Sequence, residues 1–176
     1  MGQISKLETL ALRWADMCND PLLQDLPGKI ELNGLGVMEM SPATNRHGMA
    51  QAAKAQALGL QLPNGTAIVE CGISADDGIR VPDVAWTSAT FIAQQGDNSP
   101  FTSPFTSAPE ICVEVRSPSN TDDEMAYKTE LYFQAGAAEV WVVTEAGVPQ
   151  VFDAQGPQAA SRYGVTLVLP ARPGAL

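Results

Sequence analysis

The sequence predicts an α/β protein, and three local patterns carry that prediction. Ile111-Cys112-Val113-Glu114-Val115-Arg116 alternates β-branched residues with Cys112, Glu114 and Arg116, the period-2 signature of a strand with two distinct faces. Soon after it, Thr121 and Glu124 fit a capping box that opens a helix over 122–135, closed by Gly136. Asn33-Gly34, set between two short apolar runs, is a strong hairpin signal.

The remaining elements follow along the chain. Leu7, Leu10, Ala11, Trp14 and Met17 recur at helical spacing over 4–17, and Asn19-Asp20-Pro21 ends that run. Strands are expected at 29–32 and 36–40, after which Ser41-Pro42-Ala43-Thr44 breaks the sheet. The Ala, Met and Leu content of 45–60 favours a helix, with Pro63-Asn64-Gly65 as its exit turn. Two further strands, 66–73 and 79–87, are separated by the Asp76-Asp77-Gly78 turn. Residues 91–108, rich in Ser, Thr, Pro and Gln, read as a long loop suited to a lid or a dimer contact. Ser117-Pro118-Ser119-Asn120 is a turn; 139–144 and 148–152 form a last hairpin through Ala146-Gly147, and 162–169 is an edge-strand candidate.

The 176 residues are expected to form one domain, with 45% apolar and 17% charged residues, ordinary for a globular chain. Cys18, Cys71 and Cys112 are widely separated and lack metal-ligand spacing, so neither a disulfide scaffold nor a zinc site is supported. Lys6, Glu8, Arg13 and Asp16 interrupt any signal-peptide core, and no stretch reaches membrane-spanning length. A soluble, cytoplasmic protein with reduced thiols is expected. The formal net charge of −10 argues against a surface built for non-specific nucleic-acid binding, and the ten Lys and Arg look scattered along the chain.

Chemistry concentrates on Glu114. A carboxylate in a central strand loses solvation unless a cation, a donor or a metal compensates it. Asp83 stands in a second apolar run, Val81-Pro82-Asp83-Val84-Ala85-Trp86, and on the last helix Met125, Lys128, Leu131, Tyr132 and Ala135 share one arc. Lys128 therefore points where the apolar residues point. Two half-buried carboxylates and one lysine suggest a divalent-metal site.

These residues, taken with others in order, resemble a known family. Glu31-Leu32-Asn33-Gly34, Met40-Ser41-Pro42, His47, Val81-Pro82-Asp83-Val84, Val113-Glu114-Val115-Arg116-Ser117-Pro118-Ser119, and Lys128 followed by Tyr132, Ala135-Gly136, Glu139 and Trp141 are similar to the Uma2 family (DUF820), restriction-endonuclease-like proteins of the PD-(D/E)xK superfamily. The resemblance implies a restriction-endonuclease-like core, a mixed sheet flanked by helices, with Asp83 and Glu114 as metal-binding carboxylates. The superfamily's lysine two residues beyond the second acid is replaced by Arg116; in this family it has moved to the helix, here Lys128. Glu124 stands where the family more often has Asp, and Thr144-Glu145 replaces a common Asp-Pro.

The implied activity is a metal-dependent endonuclease acting on DNA, with RNA as the other candidate. Hard oxygen ligands from Asp83, Glu114 and the Val115 carbonyl suit Mg²⁺ or Mn²⁺. Glu31, His47, Arg116, Glu124 and Tyr132 are accessory candidates. Most of these site candidates have a structural counterpart: Asp83 as a strand entry, Glu114 paired with Arg116 or Lys128, Arg116 as a solvated strand end, Glu31 on an exposed hairpin, His47 as a helix-start residue, Tyr132 as core packing. The alternative for the whole chain is a catalytically inactive, homodimeric binding or interaction module on the same fold, which the acidic balance favours. No membrane partner is expected.

Overall fold

The short apolar runs that read as strands assemble into two sheets, and the capped, Ala- and Leu-rich runs that read as helices pack against them. The computed structural model describes residues 5–24, 26, 28–42, 44–96, 104–144 and 147–166. The first sheet, in the order β2-β1-β5-β4, combines β1 (Lys29–Asn33), β2 (Met38–Ser41), β4 (Ile73–Ala75) and β5 (Gly78–Arg80). The second has six strands in the order β10-β9-β8-β7-β6-β3: β3 (Gly65–Val69), β6 (Val84–Ser88), β7 (Ile111–Val115), β8 (Glu139–Val143), β9 (Pro149–Asp153) and β10 (Gly156–Gln158). Within it β7 and β8 run parallel and the other neighbours antiparallel, so the sheet is mixed. A parallel pair needs a crossover, and α4 (Asp122–Gln134) supplies it.

Helix α1 (Lys6–Asn19) starts at a capping box between Ser5 and Glu8, and its Leu10 packs with Leu32 and Ile79 against the first sheet. Helix α2 (Asn45–Gln61), capped by Thr44, lays Leu58 on one face of the second sheet, against Val84, Trp86, Val113, Trp141 and Val143. Helix α4, with the Thr121–Glu124 capping box, lays Tyr132 on the opposite face beside Cys112 and Val140. The three clusters form because each helix has one apolar stripe to bury. No helix among the described residues is long and apolar enough to cross a membrane.

The structure corrects four expected elements. The strand expected over 66–73 is two strands in different sheets, β3 and β4, and the strand expected over 79–87 divides likewise into β5 and β6. At the first break Glu70 adopts a left-handed backbone (φ 55°) and Gly72 lies so close to Trp14 that a Cβ there would come within about 3.0 Å of the indole. At the second, Pro82 lacks the N–H that a ladder requires. Between the breaks the expected turn does connect β4 to β5, where Gly78 (φ 126°) approaches the Leu32 carbonyl too closely for any side chain.

The long loop begins instead as helix α3 (Ala89–Gln94), capped by Ser88, and returns with Phe105 bridging to Ile73 and packing edge-on against Phe91. Residues 97–103 of that loop lie outside the described residues, as do 145–146 of the last hairpin. Over 162–166 no edge strand forms, and 167–169 fall outside the described residues; the edge is β10. The Ser161 hydroxyl and the Arg162 N–H instead donate to the buried Glu139 carboxylate, and Tyr163 tilts onto Trp86. Side-chain anchors thus replace ladder bonds in that segment.

Candidate active site

Strand β7 fixes the first carboxylate. Ile111 and Val113 face α2, while Cys112 joins the α4 cluster, and Glu114 follows Cys112 by strand alternation. The Tyr132 hydroxyl, fully buried on α4, donates to Glu114 Oε1 at 2.6 Å. One turn earlier on the same helix, Lys128 sets its Nζ 3.6 Å from that oxygen and 3.2 Å from the Glu31 carboxylate.

Asp83 sits in the irregular link between β5 and β6, not inside a strand as the sequence pattern suggested. The break in pairing leaves its side chain free to turn inward. Asp83 Oδ2 accepts the Val115 N–H at 2.6 Å, which pins the link to the end of β7. Asp83 Oδ1 lies 2.8 Å from Lys29 Nζ and 3.0 Å from His47 Nε2. The Lys29 ammonium also donates to Glu114 Oε2 at 3.2 Å, so one cation bridges the two carboxylates.

The other expected residues divide. Glu31 is buried, accepts the Val81 N–H at 2.9 Å and faces both Lys128 and Arg80. His47 and Tyr132 each bond one carboxylate of the pair, as above. Arg116 lines the cavity beside the site but pairs with Asp122 and the Asn120 carbonyl. Glu124 stays in its capping box, accepting the Thr121 N–H, and does not line the cavity. Val115 contributes its N–H to Asp83 and lines the cavity.

Sequence reasoning missed Lys29 and Arg80. Lys29 reads as an ordinary strand start, yet it lies two residues from Glu31 and so on the same face of β1; that spacing was the available signal. Arg80 Nη2 donates to Asp77 Oδ2 at 2.6 Å, which also accepts the Tyr127 hydroxyl. No local pattern couples those three.

The environment drives the two carboxyls apart. Burial alone would raise Asp83, but the hydrogen bond from His47 and the charge of Lys29 hold it down at about 2. Burial dominates at Glu114 and raises it, against the pull of Lys128 and Lys29. The bond to Asp83 raises His47. Burial works to lower Lys29, yet the charges of Glu114, Asp83 and Glu31 raise it overall. A pair of acids displaced in opposite directions is a recurring arrangement at catalytic sites.

A cavity of about 450 Å³ opens from this cluster between α2, the end of β2 and the turn before α4. Lys29, Arg46, Lys54, Arg116 and Lys128 all line it, together with His47, the only histidine. Five of the chain's ten Lys and Arg therefore converge on one cavity, whose acidic lining among the described residues is Glu70, Asp83 and Glu114. Among the described residues basic side chains outnumber acidic ones in that lining, in a chain of net charge −10. The basic residues are scattered in sequence but gathered in space.

The model of the Uma2 family, described as "Putative restriction endonuclease", matches residues 21–161, the span that holds every residue of the site. The chain belongs to the Uma2 family. Its fold is similar to that of a crystal structure described as a putative nuclease belonging to DUF820 from Anabaena variabilis, with a TM-score of 0.58 and 16% identity over 80% of this chain and 88% of that one. No curated protein matches the chain. Uma2 membership and the shared fold agree with the mixed sheet and its flanking helices.

Among the described residues no three His, Cys, Asp or Glu side chains form a ready-made metal cage. The donor set nevertheless fits Mg²⁺ or Mn²⁺. Mg²⁺ is usually held by one or two carboxylates, keeps several waters and takes further oxygens from a bound phosphate. Asp83 and Glu114 offer two hard carboxylates that already converge on one cation, the Lys29 ammonium.

Proposed function

We propose that this protein is a metal-dependent endonuclease that hydrolyses phosphodiester bonds in DNA, with RNA as the other candidate substrate. The observation that supports it is the convergence of Asp83 and Glu114 on a single cation position at the head of a cavity lined by half of the chain's Lys and Arg. Counterion release from a polyanion requires local positive charge, not a positive protein.

Asp83, Glu114 and the Val115 carbonyl would hold Mg²⁺ or Mn²⁺. The ion, when bound, supplies a water of lowered pKa and offsets charge on the scissile phosphate. The protein's own groups hold the geometry. His47 and the Val115 N–H orient Asp83, and the Tyr132 hydroxyl orients Glu114. Lys29 bridges the two carboxylates in the position a divalent ion would take, and its flexible stem would let it give way to that ion. Lys128, tethered by Glu31, is placed to orient the nucleophile or to offset charge developing on the phosphate oxygens. Arg116 also lines the cavity.

The test is cleavage of labelled single-stranded, double-stranded and branched oligonucleotides in Mg²⁺ and in Mn²⁺, comparing wild type with Glu114→Ala. Metal-dependent cleavage that disappears in the variant is expected. Metal-independent cleavage, or cleavage equal in both proteins, would contradict the proposal.

A further inference from the structure

His47, Gln51, Lys54 and Leu58 follow one another along the inward stripe of α2. Each but one is accounted for. His47 bonds Asp83; Gln51 donates to Glu70 Oε1 at 2.9 Å and reaches the Asp83 carbonyl at 3.5 Å; Leu58 is core. Lys54 is 1% exposed, lines the same cavity as Asp83 and Glu114, and has no hydrogen-bond partner for its Nζ. Among the described residues the only other such orphan is Arg80 Nε, whose guanidinium is paired through its other nitrogens.

A buried ammonium without a partner is costly, and a leucine or methionine would fill the position without that cost. Among the described residues the carboxylates of the cavity are already engaged, Asp83 and Glu114 with Lys29 and Glu70 with Gln51, and none of them bonds Lys54. Burial lowers the Lys54 amine below its ordinary value, as expected for a cation awaiting its counter-charge. An anion entering the cavity supplies what is missing.

We propose that Lys54 is a substrate-contacting residue that takes a non-bridging phosphate oxygen of the nucleic-acid backbone on the α2 side of the cavity, across from Lys128 and Arg116. This rests on the phosphodiesterase reading and adds to it: α2 becomes the wall that grips the strand. Lys54 has four rotatable bonds along its stem, enough to carry Nζ from the wall into the cavity.

The experiment is fluorescence-anisotropy binding of a labelled 12-nucleotide DNA, single-stranded and duplex, in Ca²⁺, by wild type and Lys54→Met across a salt series. Methionine matches the buried volume without the charge, so the variant should melt at the same temperature as wild type or higher. Its affinity should fall roughly tenfold, and the slope of log K against log salt should shrink by about 0.9 for the duplex or about 0.7 for the single strand, one ionic contact fewer. Unchanged affinity and slope would overturn the proposal. A lower melting temperature in both Lys54→Met and Lys54→Gln would assign Lys54 a structural role and also overturn it. So would wild type that binds inorganic phosphate through Lys54 by calorimetry but not the oligonucleotide. All of these readouts are binding or melting, so they stand apart from the cleavage assay. Wild type that binds the DNA through Lys54 but does not cut it in Mg²⁺ or Mn²⁺ would sink the nuclease reading alone.

Discussion

Replacing Lys29 by methionine separates a convergent carboxylate pair from a merely crowded one. In the metal-free protein its ammonium stands 2.8 Å from Asp83 and 3.2 Å from Glu114, whose side chains are 1% and 4% exposed. Breaking a buried ion pair from one side costs about 3–5 kcal/mol, because the partner charge is left stranded. Here the lower end applies. Asp83 keeps His47 and the Val115 N–H, Glu114 keeps the Tyr132 hydroxyl and Lys128, and Glu114, already raised by burial, can shed its charge by taking a proton. A loss of about 3 kcal/mol in a chain of this size lowers the melting temperature by roughly 6–12 °C. The assay is a thermal melt in chelator and again in millimolar Mn²⁺. In chelator Lys29→Met should melt well below wild type; in Mn²⁺ it should recover most of the difference, with a larger metal-induced shift than wild type because no ammonium competes for the position. A variant as stable as wild type in chelator, with the same Mn²⁺ shift, would refute the reasoning.

Two other expectations follow from the same cluster. Lys128 is 20% exposed, and its partners keep other donors, the Val81 N–H for Glu31 and the Tyr132 hydroxyl for Glu114. Lys128→Met should therefore stay folded, within about 1–2 kcal/mol of wild type by urea denaturation, while cleavage falls by about 10²–10³ through loss of a charge-stabilising contact; a large loss of stability with activity intact per folded molecule would make Lys128 structural. His47, the only histidine, gives an unambiguous proton NMR titration. Its bond to Asp83 raises its pKa from the ordinary 6.5 in the metal-free protein, so its contribution to stability is fully present below pH 6.5 and is lost as pH rises through the raised folded value. A midpoint at or below 6.5 in chelator would contradict that contact.

Much of this architecture is legible in the residues themselves. The alternation in β7 puts Glu114 on the face opposite Val113, and the Thr121–Glu124 capping box fixes where α4 begins, so Lys128 and Tyr132 fall on the arc that meets Glu114. What escapes is tertiary. Periodicity does not register that a strand leaves one sheet and enters another, and it is the break at Val81-Pro82-Asp83 that frees the Asp83 side chain to meet Val115. Lys29 is legible only as a neighbour of Glu31 on one face of β1. Its role depends on β1 lying beside the ends of β6 and β7, a contact between two sheets that no local pattern encodes. The basic cavity is the same lesson on a larger scale: Lys29, Arg46, Lys54, Arg116 and Lys128 come from four separate stretches of sequence and form a patch only after folding.

The claim on which the rest depends is that Asp83 and Glu114 hold one divalent cation between them. Calorimetric titration of Mn²⁺ into metal-free wild type and into Asp83→Ala tests it without reference to any substrate. One saturable site in wild type that is lost in the variant is predicted; equal binding by both proteins, or no binding by either across millimolar metal, would contradict it.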